Sequence, residues 1–180
     1  MKTVVLFSGG LDSTVLMHTL AGELYPVFCD YGQPHLEAEY AAAERIWPSK
    51  LIVIELPQLT MPGRIGKASV VPGRNLLMVA AAAAYALSIG ASRVVSGVNA
   101  TDHDVYADCL PEFNTNLDRL LYSTYGVRYV APFENTTKAE IVALGRECGA
   151  PIADSWSCYN GGDEPCGECS ACHARAEALA

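Results

Sequence analysis

Apolar positions in the first half of the chain fall into two alternating kinds of run. Residues 3–7 form a continuous apolar run that reads as a buried strand, and residues 25–30, 51–56 and 93–97 read as further strands whose apolar residues do not alternate with polar ones, which fits burial on both faces. Between them lie segments with helical spacing: 12–21, with Val15, Leu16, Thr19 and Leu20 along one side; 36–46, rich in Ala and Glu; and 74–89, long and Ala-rich. Strands alternating with helices predict an α/β fold, a parallel twisted sheet with helices on both faces.

The second half is less regular. Residues 98–110 read as a loop rich in Asp, and 111–122 as a helix with Pro111 in its first turn. Residues 137–148 read as a helix opened by a capping box, Thr137 with Glu140, and closed by Gly149 and Pro151. Residues 57–72, punctuated by Pro62, Gly63 and Gly66, read as a flexible connection. Beyond Cys158 the chain is too polar and too rich in cysteine to continue the sheet. The expected division is a sheet domain over residues 1–150 and a small C-terminal segment over 151–180 packed on it.

Composition narrows the class. With 51% apolar and 18% charged residues in a chain of 180, a globular core is expected. The net charge of −8 repels phosphate backbones, so nucleic acid is not an expected partner. The stretch before Ser8 is too short for a signal peptide. The longest apolar run, residues 76–89, contains Tyr85 and Ser88 and falls short of a membrane span. A soluble, cytoplasmic chain without a membrane partner is the expectation.

Ser8-Gly9-Gly10-Leu11-Asp12-Ser13-Thr14 joins the first strand to the first helix. Paired glycines allow a tight turn and close approach of a ligand. The helix that follows presents free N–H groups and a partial positive charge. The combination is an anion site, with hydroxyl donors at Ser8, Ser13 and Thr14. Gly-Gly also occurs in ordinary strand-to-helix turns, and Asp12 could serve as a helix N-cap. Other nucleotide loops do not fit: Gly63-Arg64-Ile65-Gly66-Lys67 has the wrong spacing for a Walker loop.

Four of the seven cysteines are clustered: Cys158, Cys166, Cys169 and Cys172 are separated by seven, two and two residues. Four thiolates at this spacing suit tetrahedral Zn²⁺, and an all-cysteine shell leaves no open position for catalysis, so the metal is read as a structural staple. Rival readings are a c-type haem site at Cys169-Ser170-Ala171-Cys172-His173, an iron–sulfur run lacking its next cysteine at Ala176, and free thiols or disulfides. His173 is read as a bystander.

The Ser-Gly-Gly-x-Asp-Ser string resembles the signature of the PP-loop ATP pyrophosphatase superfamily. That likeness implies an adenine nucleotide alpha hydrolase-like, Rossmann-like fold and cleavage of ATP between its α and β phosphates. Four further stretches resemble the 7-cyano-7-deazaguanine synthase family. They are Asp30-Tyr31-Gly32-Gln33 with His35; Val71-Pro72-Gly73-Arg74-Asn75; Gly97-Val98-Asn99 with Asp102 and Tyr106-Ala107-Asp108-Cys109; and the tail beginning Cys158-Tyr159-Asn160-Gly161-Gly162.

The resemblance implies an ATP-dependent carbon–nitrogen ligase of queuosine biosynthesis. It would turn 7-carboxy-7-deazaguanine and ammonium into the nitrile through an adenylated carboxylate and an adenylated amide. It implies ATP, Mg²⁺ and structural Zn²⁺, and a homodimer. Ser8, Gly9, Gly10, Leu11, Asp12, Ser13 and Thr14 would hold the phosphates, Asp12 also orienting Mg²⁺. Arg74 and Lys138 would steady charge on the leaving pyrophosphate, beside Asp12, Ser13 and Asp108 in the catalytic set. Asn75, Asn99, Asp102 and Asp108 would face the substrate, the two aspartates meeting the guanine-like N–H edge or ammonium. Cys109 is read as a small buried side chain. The metal set is Cys158, Cys166, Cys169 and Cys172.

The chain departs from the family in being short, chiefly over residues 56–71 and 114–130, and in carrying Cys29 where Phe is common and Pro34 where Arg is common. A relative that stops at the amide, a tRNA thiolase and a non-catalytic nucleotide- or zinc-binding module stand as alternatives. The negative charge speaks against the thiolase.

Overall fold

The structure is a computed structural model that describes residues 1–49, 51–56, 71–104 and 106–180. In chain order it has β1 (Lys2–Leu6), α1 (Leu11–Thr19), β2 (Glu23–Asp30), α2 (Leu36–Ile46), β3 (Ile52–Glu55), α3 (Arg74–Ile89), β4 (Arg93–Val95), α4 (Pro111–Tyr125), β5 (Arg128–Val130), α5 (Lys138–Glu147) and α6 (Ser170–Leu179). Among the described residues the strands form one parallel sheet in the order β3-β2-β1-β4-β5. None of the helices there is long and apolar enough to cross a membrane.

The unbroken apolar strands have a direct explanation. In β1 and the residue after it, Val4 and Leu6 pack with α3 and α4 side chains such as Val79, Ala83, Leu117 and Leu121. Val5 and Phe7 point the other way, among Val15, Leu16, Ile141 and Val142 of α1 and α5. Both faces are covered, so polarity does not alternate. Pro26 in β2 is tolerated because the ladder to β3 begins only at Val27.

Two elements go beyond the sequence expectations. β5 is three residues long, too short to show a period. α6, in a segment expected only to bind metal, carries no apolar stripe. It is held instead by its flanks: Arg175 donates to Ser155 Oγ at 2.7 Å and to the Ile152 carbonyl at 2.7 Å, and Arg146 donates to the Leu179 carbonyl at 2.9 Å. The Asp-rich loop contains two short 3₁₀ turns, Ala100–Asp102 and Ala107–Cys109. The helix expected at 12–21 stops at Thr19, and the one expected at 111–122 runs to Tyr125, closed by Gly126 in the left-handed region. The connection expected over 57–72 lies, apart from its last two residues, outside the described residues.

Candidate active site at the switch between β1 and β4

The chain runs outward from β1 to β3 on one side, then returns through α3 to β4 on the other. Ligands of open α/β sheets collect where that direction reverses, outside the carboxyl ends of the strands. A cleft of roughly 180 Å³ opens there. Ser8, Gly10, Asp12 and Ser13 line it after β1, and Ser96, Gly97 and Val98 line it after β4. The start of α3 adds Arg74 and Asn75, and the 3₁₀ turns add Asp102 and Cys109.

Gly9 shapes the loop. Its φ is +74°, and a Cβ there would lie 2.6 Å from the backbone N of Ala43 in α2. Gly97 lets the end of β4 abut α1, because a Cβ would come 3.3 Å from the amide nitrogen of Ser13. Ser8 Oγ accepts from the Gly10 N–H at 3.2 Å, and Ser13 Oγ donates to the Gly10 carbonyl at 3.0 Å. Asp12 does not cap α1, contrary to one sequence expectation: Gly10 is the N-cap residue and Asp12 lies in the first turn. There it faces the positive end of the helix.

Charge is arranged around Asp12. Lys138 Nζ donates to Asp12 Oδ2 at 2.8 Å. Asn99 Nδ2 donates to the same oxygen at 3.3 Å and to Asp102 Oδ2 at 3.0 Å. Asn99 is fully buried and does not line the cleft; it acts through the two carboxylates. Asp12 Oδ1 and Thr14 Oγ1 are buried and lack a protein partner, whereas buried polar atoms are nearly always paired. Burial pushes the Asp102 carboxyl up from its ordinary range, against the pull of Lys138.

At the start of α3, Asp108 Oδ2 accepts from the Asn75 N–H at 2.9 Å. Asn75 Nδ2 donates to the Asp108 carbonyl at 3.2 Å and to Cys109 Sγ at 3.2 Å. Asp108 therefore reaches the cleft through Asn75. Burial pushes the Cys109 thiol up to about 12, so it stays neutral, as its reading as a packed side chain requires. The Arg74 guanidinium lies 5.8 Å from the Tyr31 ring centroid and 5.7 Å from that of Tyr106, and donates to the Tyr31 hydroxyl at 3.3 Å.

The cysteine cluster is formed. The Sγ atoms of Cys158, Cys166, Cys169 and Cys172 all lie within 4.8 Å of one another. Zinc–sulfur bonds of about 2.3 Å place tetrahedral sulfurs about 3.8 Å apart, and Cys166 and Cys172 stand at 4.0 Å. Backbone N–H groups of Asn160 and Cys166 donate to Cys158 Sγ at 3.4 Å, a donor set that suits thiolates. Gly167, with φ +75°, makes the turn between two ligands. The cluster fits a structural zinc ion.

Three comparisons bear on this geometry. The family model for the queuosine biosynthesis protein QueC matches residues 2–69 and 49–180. The chain belongs to that family. A 7-cyano-7-deazaguanine synthase from Archaeoglobus fulgidus is 34% identical over 206 residues, 99% of this chain and 86% of the relative. A 7-cyano-7-deazaguanine synthase 2 from Desulfitobacterium hafniense is 36% identical over 207 residues, 99% of this chain and 88% of the relative. These alignments are longer than the chain, so the relatives carry residues with no counterpart here, in line with the short segments noted above. The solved structure of a predicted tRNA methyltransferase subunit from Methanocaldococcus jannaschii superposes with a TM-score of 0.52 at 15% identity, covering 92% of this chain and 99% of that one. It shares the fold alone.

Several site residues went unassigned in the sequence. Tyr31, Tyr106 and Tyr159 sit inside stretches singled out by resemblance, yet nothing in their spacing shows that they converge beside Arg74. Ser96 is fixed from behind by Tyr129, whose hydroxyl lies 2.7 Å from its Oγ, with Asn114 bonded to Glu134 Oε2 at 2.9 Å beyond. Glu39 accepts from Gln33 Nε2 at 3.2 Å and faces His35 Nε2 at 3.6 Å, beneath the Asp30–His35 stretch. Its signal was a second acidic residue early in α2, on the turn facing Gln33.

Proposed function

We propose that the protein uses ATP to convert 7-carboxy-7-deazaguanine and ammonia to 7-cyano-7-deazaguanine, the product that its relatives' name gives. The observation that carries the reading is the single cleft joining the Ser8–Thr14 loop to Arg74 at the switch point. A carboxylate is a poor electrophile. Transfer of AMP to one of its oxygens expels pyrophosphate and leaves a mixed anhydride. Ammonia displaces AMP to give the amide. A second AMP transfer to the amide oxygen, followed by loss of AMP and protons, leaves the nitrile.

In this reading the first amides of α1, with the hydroxyls of Ser8, Ser13 and Thr14, bind the phosphates. The unpartnered Asp12 Oδ1 suits a Mg²⁺ ion, which would neutralise phosphate charge when bound. Lys138, held at the first position of α5 by the Thr137 cap, stabilises charge as pyrophosphate leaves, as does Arg74. Asp102, with Asp108 acting through Asn75, faces the N–H edge of the base or ammonium, and Asn99 sets the two carboxylates of Asp12 and Asp102. Residues 1–150 then form the nucleotide-binding and catalytic domain, and residues 151–180 the zinc segment. We assign the chain to the cytoplasm as a homodimer. Leu76 and Leu87, exposed on the outer side of α3, support such an association, and sedimentation equilibrium tests it.

The deciding experiment mixes the protein with ATP, Mg²⁺, ammonium and 7-carboxy-7-deazaguanine and follows products by mass spectrometry. Nitrile, with AMP and pyrophosphate, is expected. Amide as the end product would reassign the chain to a single-round ligase. Absence of AMP would overturn the catalytic reading.

A further inference from the structure

We propose that Tyr159 is the surface on which the flat heterocycle of the substrate packs, so that the four-cysteine segment supplies part of the substrate site as well as a staple. The inference rests on the function proposed above and deepens it.

The ring of Tyr159 lines the cleft, although the residue lies far from the cleft's other walls in sequence. Its neighbours hold it in place. Cys158, the residue before it, is fully buried in the metal cluster, and its carbonyl accepts from Trp156 Nε1 at 2.8 Å. The Tyr159 carbonyl is paired with His35 Nδ1 at 3.1 Å, and the two rings meet at a tilt of 52° with their centroids 5.5 Å apart. Two residues further, Gly161 packs against the Pro34 carbonyl, where a Cβ would lie 2.9 Å away. The Trp156 N–H donates to the Gly9 carbonyl at 2.9 Å, so the segment is tied directly to the phosphate loop.

Two tyrosine rings reach the cleft, and they differ. Tyr106 carries the Arg74 guanidinium 5.7 Å from its centroid, which occupies part of its face with a cation. Tyr159 has the His35 imidazole beside it at a tilt of 52°, and its hydroxyl is buried beside Tyr106. An aromatic side chain in the wall of a cleft is what a planar, edge-polar base stacks on. Leu6 and Val98 add apolar surface in the same cleft, while Asp102 and Asn75 supply polar groups for ring edges.

The test uses the full-length, zinc-loaded chain. Tyr159→Phe, which keeps the ring and loses only the hydroxyl paired with Tyr106, is expected to retain most of the affinity for the deazaguanine that Tyr159→Leu loses. Tyr159→Leu is expected to raise KM for 7-carboxy-7-deazaguanine roughly tenfold, the scale of one lost base stack, and to leave KM for ATP unchanged. Titration calorimetry with 7-cyano-7-deazaguanine, without ATP, should show the same loss of affinity, while metal analysis still finds one zinc per chain. Wild-type turnover with an unchanged KM for the deazaguanine in zinc-replete Tyr159→Leu overturns the inference alone, as does an equal rise in both KM values. A wild type that makes no AMP from this substrate overturns the functional reading and the inference with it. Should Tyr159→Leu lose zinc, Tyr159→Trp decides: 7-cyano-7-deazaguanine should quench its fluorescence beyond any change in the wild type, which has Trp47 and Trp156. An unquenched, zinc-replete Tyr159→Trp overturns the inference.

Discussion

Lys138 Nζ and Asp12 Oδ2 meet at 2.8 Å across 126 positions of sequence, joining the first turn of α5 to the first turn of α1. Both side chains are 19% exposed, so water screens the pair little. The contact leaves the second Asp12 oxygen unpartnered and buried at the phosphate loop. A lysine is thereby fixed beside an anion site without cancelling all of its carboxylate's capacity.

Lys138→Ala is therefore expected to lower kcat for AMP formation by roughly 10²–10³-fold, the scale of losing one preorganised charge donor. Lys138→Arg should recover only part, because a planar guanidinium does not reproduce a compact ammonium at this distance. Single-turnover release of pyrophosphate measures both. An alanine variant with wild-type rates would remove Lys138 from the proposed machinery.

Gly9→Ala should cost at least about 2 kcal/mol, since the left-handed backbone and the clash with α2 both oppose a Cβ. Gly10→Ala, with an ordinary φ of −74° and its closest neighbour a serine hydroxyl at 3.1 Å, should cost less. Urea melts of the two variants compare them. Equal stabilities would show that α2 yields at Ala43.

Removal of zinc should release the C-terminal segment before the sheet unfolds. Arg175 binds Ser155 and the Ile152 carbonyl from α6, and α6 has little apolar surface of its own. Chelation, or Cys172→Ser, is expected to lower helix content and the melting temperature, with early proteolysis beyond Ile152. Metal analysis, circular dichroism and limited digestion follow the sequence of events. Unchanged protection of α6 in a zinc-free chain would refute the staple.

Burial raises the Glu39 carboxyl from 4.5 to about 7, against Gln33 and Arg74, and its side chain is only 16% exposed. The folded state thus holds this proton where the unfolded chain has released it. The associated stability is full below about pH 4.5 and is lost as pH rises through about 7. His35 opposes this: burial lowers its pKa, so its contribution is lost as pH falls. Glu39→Gln isolates the first effect. Its stability relative to wild type should grow between pH 5 and 8 by up to about 3 kcal/mol. A pH-independent difference would show that Glu39 is ionised in the fold.

Much of this architecture was legible in the chain. Residues 3–7, 25–30 and 93–97 read as buried strands because both faces of a parallel sheet are covered, and the Thr137–Glu140 capping box forms as its residue types require. The four-cysteine cluster and the Gly9–Gly10 turn were legible because their chemistry is local: four cysteines within fifteen residues, and a glycine turn between strand and helix. β5 and α6 were not, because one is too short for a period and the other is stabilised by Arg146, Arg175 and the metal cluster instead of by its own apolar face.

By itself the sequence determined the alternation of strand and helix, the glycine turn after β1 and the four-cysteine cluster, since each depends on neighbours close in the chain. Only the tertiary structure decided how the distant stretches meet. It brought Lys138 to Asp12, suspended Arg74 between Tyr31 and Tyr106, and carried Tyr159 from the cysteine segment into the cleft of the phosphate loop. Those meetings follow from the reversal of strand order between β1 and β4 and from the packing of the tail against Gly9 and His35. They depend on contacts between stretches distant in sequence, 43 positions apart for Arg74 and Tyr31 and 126 for Lys138 and Asp12, which no local pattern encodes.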